Sequence, residues 1–418
     1  MPSAPHRVAI TGLGIVSCLG HDFETVMARL RRGESGLRAM PEWAEFNLTS
    51  LVAGPIEGLD DKLAAAAIPK RMRGASTRAA TYCSLAALDA VADAGLGAEE
   101  IDRRRIACLV GNSSPDGHAI HKVSDLTLQG KPRRVNPYTC YRAMCSGTSA
   151  IVANLLGVHG PSYSISSACS TSTHNIGNAF ELVRAGVVDG AVAGGGEDVS
   201  ELIAGTFQAL RVALSTHHND TPQTASRPYD ADRDGFVLSG GAGVVMLESW
   251  EAAKARGARI YAELAGYAAT SDGHGLVLPE PEGRYGAECA RQALADAGVE
   301  PSDLDYVNTH GTSTVAGDAS EVKAMRAVFG DAMPPFSSTK SMTGHALGAA
   351  GAHELIFTVG MLEGGFLAPS INIENRDPEF AGLPIVTEPT DREIDTALTL
   401  NFGFGGTNAA LVVRRHSG

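Results

Sequence analysis

Short apolar runs that stop at glycine alternate along this chain with longer segments of helical period, and that alternation constrains the fold more than any single motif. Val8-Ala9-Ile10-Thr11-Gly12-Leu13-Gly14 reads as a buried strand entering a glycine turn, with a helix over 22–32 behind it. From 76 to 94, Ala79, Tyr82, Cys83, Leu85, Ala86, Leu88 and Val91 recur on one helical face, and Gly95 ends the helix. A strand over 105–110, a helix over 138–156, a short strand over 161–165, a helix carrying Ile176, Ala179, Phe180 and Val183, and strands at 190–193 and 244–247 continue the pattern. After a connecting helix over 251–256 a comparable order returns: strand 260–266, helix 286–297, strand 306–309, helix 319–329, strand 335–338, helix 347–362, and strands near Leu398 and Leu411. The expectation is an α/β protein of two similar halves, 1–250 and 251–418, stacked with mixed sheets between helical layers. Forty-eight glycines against 6% aromatic residues fit tight turns and close helix-to-sheet approach.

Several function classes are disfavoured. A formal net charge of -13 argues against sequence-independent nucleic-acid binding, which depends on Lys and Arg neutralising phosphates. Two basic stretches stand out locally, Lys70-Arg71-Met72-Arg73 with Arg78, and Lys131-Pro132-Arg133-Arg134; each is either a solvated helix end or loop, or a patch for an acidic partner. The apolar run 346–367 contains His353, Glu354 and several glycines, so a buried helix is expected there and not a membrane span. The residues before Val8 are too few and too polar for a signal peptide, and seven cysteines show no paired metal spacing, so reduced thiols and a cytoplasmic location are expected. Gly12-x-Gly14 lacks the third glycine of a dinucleotide fingerprint, Ser17 standing in its place, and reads as a tight turn. Asp230-Ala231-Asp232-Arg233-Asp234-Gly235-Phe236 lacks the terminal Glu of a calcium loop, so its charges are expected to pair internally, and no metal is expected.

Ser164-Ile165-Ser166-Ser167-Ala168-Cys169-Ser170-Thr171-Ser172 places one cysteine between a strand and a helix. At a helix N-terminus unpaired N–H groups and the dipole favour a thiolate and can receive an oxyanion, so Cys169 is a candidate nucleophile; the alternative is a buried structural cysteine. Three loops of the second half add to it: Asn308-Thr309-His310-Gly311-Thr312-Ser313-Thr314, Ser337 through His345 with Lys340, and Asn401-Phe402-Gly403-Phe404-Gly405-Gly406-Thr407-Asn408. Together they offer a nucleophile, two imidazoles able to donate to an oxyanion, a lysine and a glycine-lined turn. That inventory suits acyl-thioester chemistry.

With these residues the chain resembles the β-ketoacyl-acyl-carrier-protein synthases of the thiolase-like fold over nearly its whole length. The 163–173 and 339–345 stretches look most like the type I enzymes. The resemblance implies a layered αβαβα architecture and a ping-pong reaction: Cys169 takes the acyl chain, His310 and His345 assist decarboxylation of malonyl-carrier protein and hold the enolate oxygen, and a 3-ketoacyl thioester results. It assigns Lys340 to the electrostatics around the histidines, Glu321 to orienting that lysine, and Asp318 to support behind them. Thr312 and Thr314 would bind the phosphopantetheine arm, Phe404 would gate the site, and the N–H groups of Cys169 and Phe404 would form the oxyanion hole. Ser114 and Met144 would shape the acyl pocket, and Lys70, Arg73 and Arg133 would dock an acidic acyl-carrier protein. No cofactor is implied beyond the phosphopantetheine of the carrier protein. A homodimer is implied, with a heterodimer of related subunits as the alternative.

The stretch Gly111-Asn112-Ser113-Ser114-Pro115-Asp116 is less glycine-rich than its type I counterpart, which leaves chain-length preference open and admits a specialised polyene or polyketide role. A non-catalytic chain-length factor would lack Cys169. A thiolase would carry a second cysteine where Phe402-Gly403-Phe404 stands, and a type III synthase would pair a His with an Asn where both positions here are His.

Overall fold

Nine strands form one hydrogen-bonded array in which the pairing pattern of the first half is repeated by the second. The computed structural model describes residues 5–66, 68–211 and 213–416. The strands are β1 (Val8–Val16), β2 (Ile106–Gly111), β3 (Gly190–Glu197), β4 (Gly241–Ser249), β5 (Ala262–Ser271), β6 (Tyr306–Asn308), β7 (Phe336–Ser337), β8 (Thr396–Gly403) and β9 (Thr407–Arg415). Their order across the array is β7-β6-β8-β9-β5-β1-β4-β3-β2. In the first half β1 runs antiparallel to β4, β4 antiparallel to β3, and β3 parallel to β2. In the second, β5 runs antiparallel to β9, β9 antiparallel to β8, and β8 parallel to β6. The two sets meet where Val8, Ala9 and Ile10 of β1 pair with Leu264, Glu263 and Ala262 of β5.

Helices complete five layers. Helix α1 (Arg78–Asp93) covers the outer face of the first half, and α2 (Thr171–Arg184) lies on its inner face. Helices α3 (Arg284–Ala297) and α4 (Val315–Phe329) cover the outer face of the second half, and α5 (Ala350–Gly364) packs beside α2 in the middle. Every residue of α5 from Ala350 to Leu362 is buried, as a helix apolar on all sides requires. The middle layer is tight: a Cβ on Gly351 would fall 1.8 Å from Thr173 Oγ1 of α2. Among the described residues no helix is long and apolar enough to cross a membrane.

Three expectations change. Gly12 and Gly14 make no turn, because β1 continues through them to Val16. Their missing side chains admit α1 instead, since a Cβ would lie 2.0 Å from Ala90 O at Gly12 and 1.8 Å from Ala86 O at Gly14. The expected helix over 138–156 is two, Thr139–Arg142 and Gly147–Leu156, with a bend between them. The expected strand at 161–165 forms only one bridge, Ser162 to Cys108 of β2, on the side of β2 that corresponds to β7 beside β6. It is an edge segment whose other side pairs with no strand among the described residues.

Candidate active site

The nucleophile is presented by backbone geometry as much as by its helix. A single 3-10 turn, Ala168–Ser170, precedes α2, and Ala168 adopts φ +50° although it is not glycine. Thr171 Oγ1 ties the turn by accepting from Ser167 N (2.9 Å) and donating to Ala168 O (2.7 Å). Ser170 Oγ fixes it to the second half through Asn401 O (3.1 Å) and Thr407 O (2.7 Å). Cys169 lies on the floor of a cavity of about 640 Å³, with Phe207, Phe236, His310, His345 and Phe402 among its walls. The thiol is pushed up to about 12 by burial, against the pull of the Lys340 charge and of the Phe404 backbone N–H that faces the sulfur. It is therefore a thiol and not the thiolate expected from the helix end alone, because desolvation outweighs the favourable charges.

The two imidazoles reach that sulfur from separate loops. His345 Nε2 lies 2.9 Å from Cys169 Sγ, and the His310 and His345 rings stand edge to face with centroids 5.2 Å apart. Phe236 and Phe402 pack edge-on against His345 and His310 respectively. Burial first, and the Lys340 charge second, hold both imidazoles well below their ordinary range, so both are neutral. A neutral imidazole can accept the thiol proton or donate to an oxyanion according to its tautomer.

The carboxylate assignments differ from expectation. Lys340 Nζ lies 3.3 Å from His310 Nδ1, as an organiser of the histidines should, but its ion-pair partner is Glu354 of α5. Asn401 Nδ2 donates to the other oxygen of Glu354 (2.7 Å), and Thr173 of α2 donates to Asn401 Oδ1 (2.6 Å). Glu321 does not orient the lysine. Its carboxylate is spent on backbone, accepting from His310 N (2.6 Å) and Gly311 N (2.7 Å). Asp318, one turn earlier on α4, accepts from Ser313 N (3.1 Å) and Tyr229 N (3.2 Å) and sits 3.5 Å from Arg233. The two acids thus anchor the loop that presents His310, in which Ser313 takes φ +72°. In the sequence Glu354 reads only as an interruption of an apolar run, unconnected to Lys340; an acid in the buried stretch of such a helix is the signal that points to a buried cation.

Thr312 and Thr314 line the cavity and share a hydrogen bond of 3.0 Å. Phe404 lies at the mouth beside Phe207, ring centroids 6.0 Å apart, on a loop tethered by Gly405 N to Leu276 O (2.9 Å). Ser114 and Met144 do not join them in the single chain. Ser114 lines a separate cavity with Glu197, Asp198 and Arg142, and Met144 is 43% exposed in the bend between two short helices. Lys70 and Arg73 are exposed on the short helix Lys70–Ala75, and Arg133 is exposed on the 3-10 turn Pro132–Arg134. The charges of the 230–236 loop do not pair with one another as expected but tie the loop to its surroundings: Asp230 pairs with Arg227, Arg233 with Asp318 and Asp377, and Asp234 accepts from Thr216 N and His217 N. Among the described residues the one cluster of three or more potential metal ligands is Cys169, His310 and His345.

A cavity with a thiol hydrogen-bonded to one of two neutral imidazoles and a backbone N–H facing the sulfur, seated in a thiolase-like fold, defines an acyl-transfer enzyme. The family description "Beta-ketoacyl synthase, N-terminal domain" matches residues 6–253, and "Beta-ketoacyl synthase, C-terminal domain" matches residues 261–374. The chain belongs to the beta-ketoacyl synthase family. It is 47% identical over 413 residues to 3-oxoacyl-[acyl-carrier-protein] synthase 1 of Escherichia coli (strain K12), covering 98% of this chain and 99% of that one. It is 44% identical over 419 residues to the protein of the same name from Haemophilus influenzae, covering 99% and 100%. The crystal structure of a beta-ketoacyl synthase from Burkholderia phymatum STM815 superposes with a TM-score of 0.93 at 35% identity, covering 98% and 100%. A type II polyketide ketosynthase, solved in complex with its acyl-carrier protein, superposes at 0.90 and 31%, covering 99% and 100%.

Proposed function

We propose that this enzyme condenses an acyl group held on Cys169 with malonyl-acyl-carrier protein, releasing carbon dioxide and 3-ketoacyl-acyl-carrier protein, in fatty-acid elongation. The observation that carries the reading is the shared approach of His345 Nε2, at 2.9 Å, and the Phe404 N–H to one buried sulfur. In the first half-reaction Sγ attacks the acyl thioester. The thiol proton passes to His345 Nε2 and on to the departing carrier thiolate, while the N–H groups of Cys169 and Phe404 receive the oxyanion. In the second, the malonyl carboxylate leaves as carbon dioxide, and imidazole N–H groups of His310 and His345 stabilise the enolate oxygen. The enolate carbon then attacks the acyl carbonyl, and Sγ leaves. Lys340 and its partner Glu354 fix the field in which both imidazoles stay neutral; Thr312 and Thr314 hold the phosphopantetheine arm, and Phe404 gates it.

The nucleophile comes from the half spanning 1–250, and both histidines and the gate come from 251–418. Both substrates ride on the phosphopantetheine of an acyl-carrier protein, so the chemistry needs no further cofactor. Lys70, Arg73 and Arg133 supply a local basic rim for that acidic partner on an enzyme of net charge -13. The unpaired edge at 161–165 and the exposed Tyr138, Tyr141, Met144 and Tyr163 suit pairing with a second copy, which would bring Met144 and Ser114 to a shared acyl pocket. The cytoplasm is the compartment that fits this partner and seven free cysteines. A specialised polyketide role is the second reading, supported by the polyketide neighbour, and the higher identity to 3-oxoacyl-[acyl-carrier-protein] synthase 1 favours the first.

The test is purified protein with acyl- and malonyl-carrier proteins, scored by product mass. Elongation by two carbons is expected, with condensation abolished in Cys169→Ser. Condensation by Cys169→Ser at the wild-type rate would overturn the assignment.

A further inference from the structure

His174 has no part in the chemistry above, yet it touches both segments that build the acyl site. It lies on the second turn of α2, five residues past Cys169, and helical side chains lean back toward the N-terminus, so its ring reaches over the nucleophile turn. Nδ1 lies 2.6 Å from Ser167 Oγ, and the ring faces the backbone of Asn408, just beyond the glycine loop. One neutral tautomer suits both neighbours, Nδ1 accepting from the hydroxyl and Nε2–H turned to the backbone carbonyl. Both anchored residues are joined to the gate. Ser167 O accepts from Thr407 Oγ1 (3.1 Å), and a Cβ on Gly403 would lie 2.8 Å from Ser167 O and 3.3 Å from Cys169 N. Asn408 Nδ2 donates to Asp272 Oδ1 (2.7 Å), and Asp272 N donates to Gly406 O (2.9 Å).

We infer that His174 is a positioning residue that clamps the Cys169 turn to the 403–406 loop and so sets the spacing of the Cys169 and Phe404 N–H groups. The inference rests on the reading of those two groups as the oxyanion site. The decarboxylating face is held differently: His310 hangs on Glu321 and Lys340, and the loop around it on Asp318. Loosening the His174 clamp therefore weakens acyl transfer to Cys169 and spares malonyl decarboxylation, a separation that a general structural role would not produce.

Two conservative variants divide the clamp. In His174→Asn the amide oxygen takes the place of Nδ1 and keeps the Ser167 contact; in His174→Gln the amide nitrogen reaches the place of Nε2 and keeps the Asn408 contact. The full-length protein and its Ala, Asn and Gln variants are compared in single-turnover acylation of Cys169, followed by mass, and in malonyl-thioester decarboxylation. His174→Ala is expected to slow acylation about 10- to 100-fold, below the full loss of one oxyanion donor, with decarboxylation within about threefold of wild type. Asn and Gln should each recover part of the loss, and adding Ser167→Ala to His174→Asn should return that variant to the level of His174→Ala. Acylation within about twofold of wild type in all three variants, or acylation and decarboxylation falling by the same factor, overturns the inference. A wild-type enzyme that itself fails to acylate overturns the proposed function instead, so the two failures are separable.

Discussion

Removing one member of the Lys340–Glu354 pair should cost more than removing both. Each side chain is 2% exposed, and among the described residues the other partner of the carboxylate is Asn401 Nδ2 at 2.7 Å. Lys340→Met leaves a buried carboxylate with a single neutral donor, and losses of about 3–5 kcal/mol are usual when one partner of a buried pair is taken away. Glu354→Gln strands the ammonium in the same way, beside an imidazole it cannot charge. In the double variant no uncompensated charge remains, Asn401 still finds an amide oxygen, and the thermodynamic cycle should close with about 2 kcal/mol or more of favourable coupling. Urea unfolding followed by circular dichroism measures the cycle. The same variants report on catalysis, because the Lys340 charge helps to hold His310 and His345 below their ordinary range. Without it both imidazoles rise, a larger fraction becomes imidazolium in mild acid, and the acid limb of the residual decarboxylation rate moves to higher pH. A double variant no more stable than the worse single, together with an unmoved acid limb, would refute the reasoning.

Glu197 is fully buried under Ser113 and Gly348 and is raised by burial to about 7, so its native state prefers the proton; the stability this gives is present below the ordinary carboxyl range and is lost as pH rises through 7. Glu197→Gln removes that loss, and its stability relative to wild type should improve by about 3 kcal/mol between pH 4 and pH 8.5 in denaturant titrations; equal ΔΔG at both pH values would count against it. Gly351→Ala drives a methyl into Thr173 Oγ1, and overpacking of that kind costs about 1–3 kcal/mol, read as a lower melting temperature with acylation still measurable; an unchanged melting temperature would contradict the fit. Lys70→Glu with Arg73→Glu should raise KM for carrier-protein substrates in a salt-dependent way and leave turnover of a malonyl-CoA substrate nearly intact, whereas equal loss with both would remove the docking role.

Much of this site is legible in the sequence because its chemistry sits in loops after strands, where side-chain identity is not disguised by packing. Cys169, His310, His345 and Lys340 stand in such loops, and the structure brings them together. Backbone and burial stay hidden. Nothing in the letters says that Ala168, Ser313 and Leu347 adopt positive φ beside the site, since none is glycine. Glu321 looks like a partner for Lys340 from motif position, yet its carboxylate, on α4, is already occupied by two backbone N–H groups of the 310–311 loop, and the lysine turns to Glu354 of α5, which seemed incidental. Gly12 and Gly14 illustrate the same limit in the fold, because a glycine needed for close approach and one needed for a turn read alike. The broken helix at 143–146 and the unpaired edge at 161–165 depend on what packs outside the segment, which local periodicity cannot report.

The site drawn from both halves has a consequence for how the protein is made. A chain emerging N-terminus first presents Cys169 while its imidazoles and lysine are still unsynthesised, and β9, which carries Thr407 and closes between β8 and β5, comes after all of them. Until that strand inserts, the Phe404 N–H is not held beside the sulfur, and the thiol lacks the partners that assist it. Assisted acyl transfer to Cys169 therefore depends on finished assembly, because the groups that take its proton and face the acyl oxygen reach the sulfur only when both halves are joined.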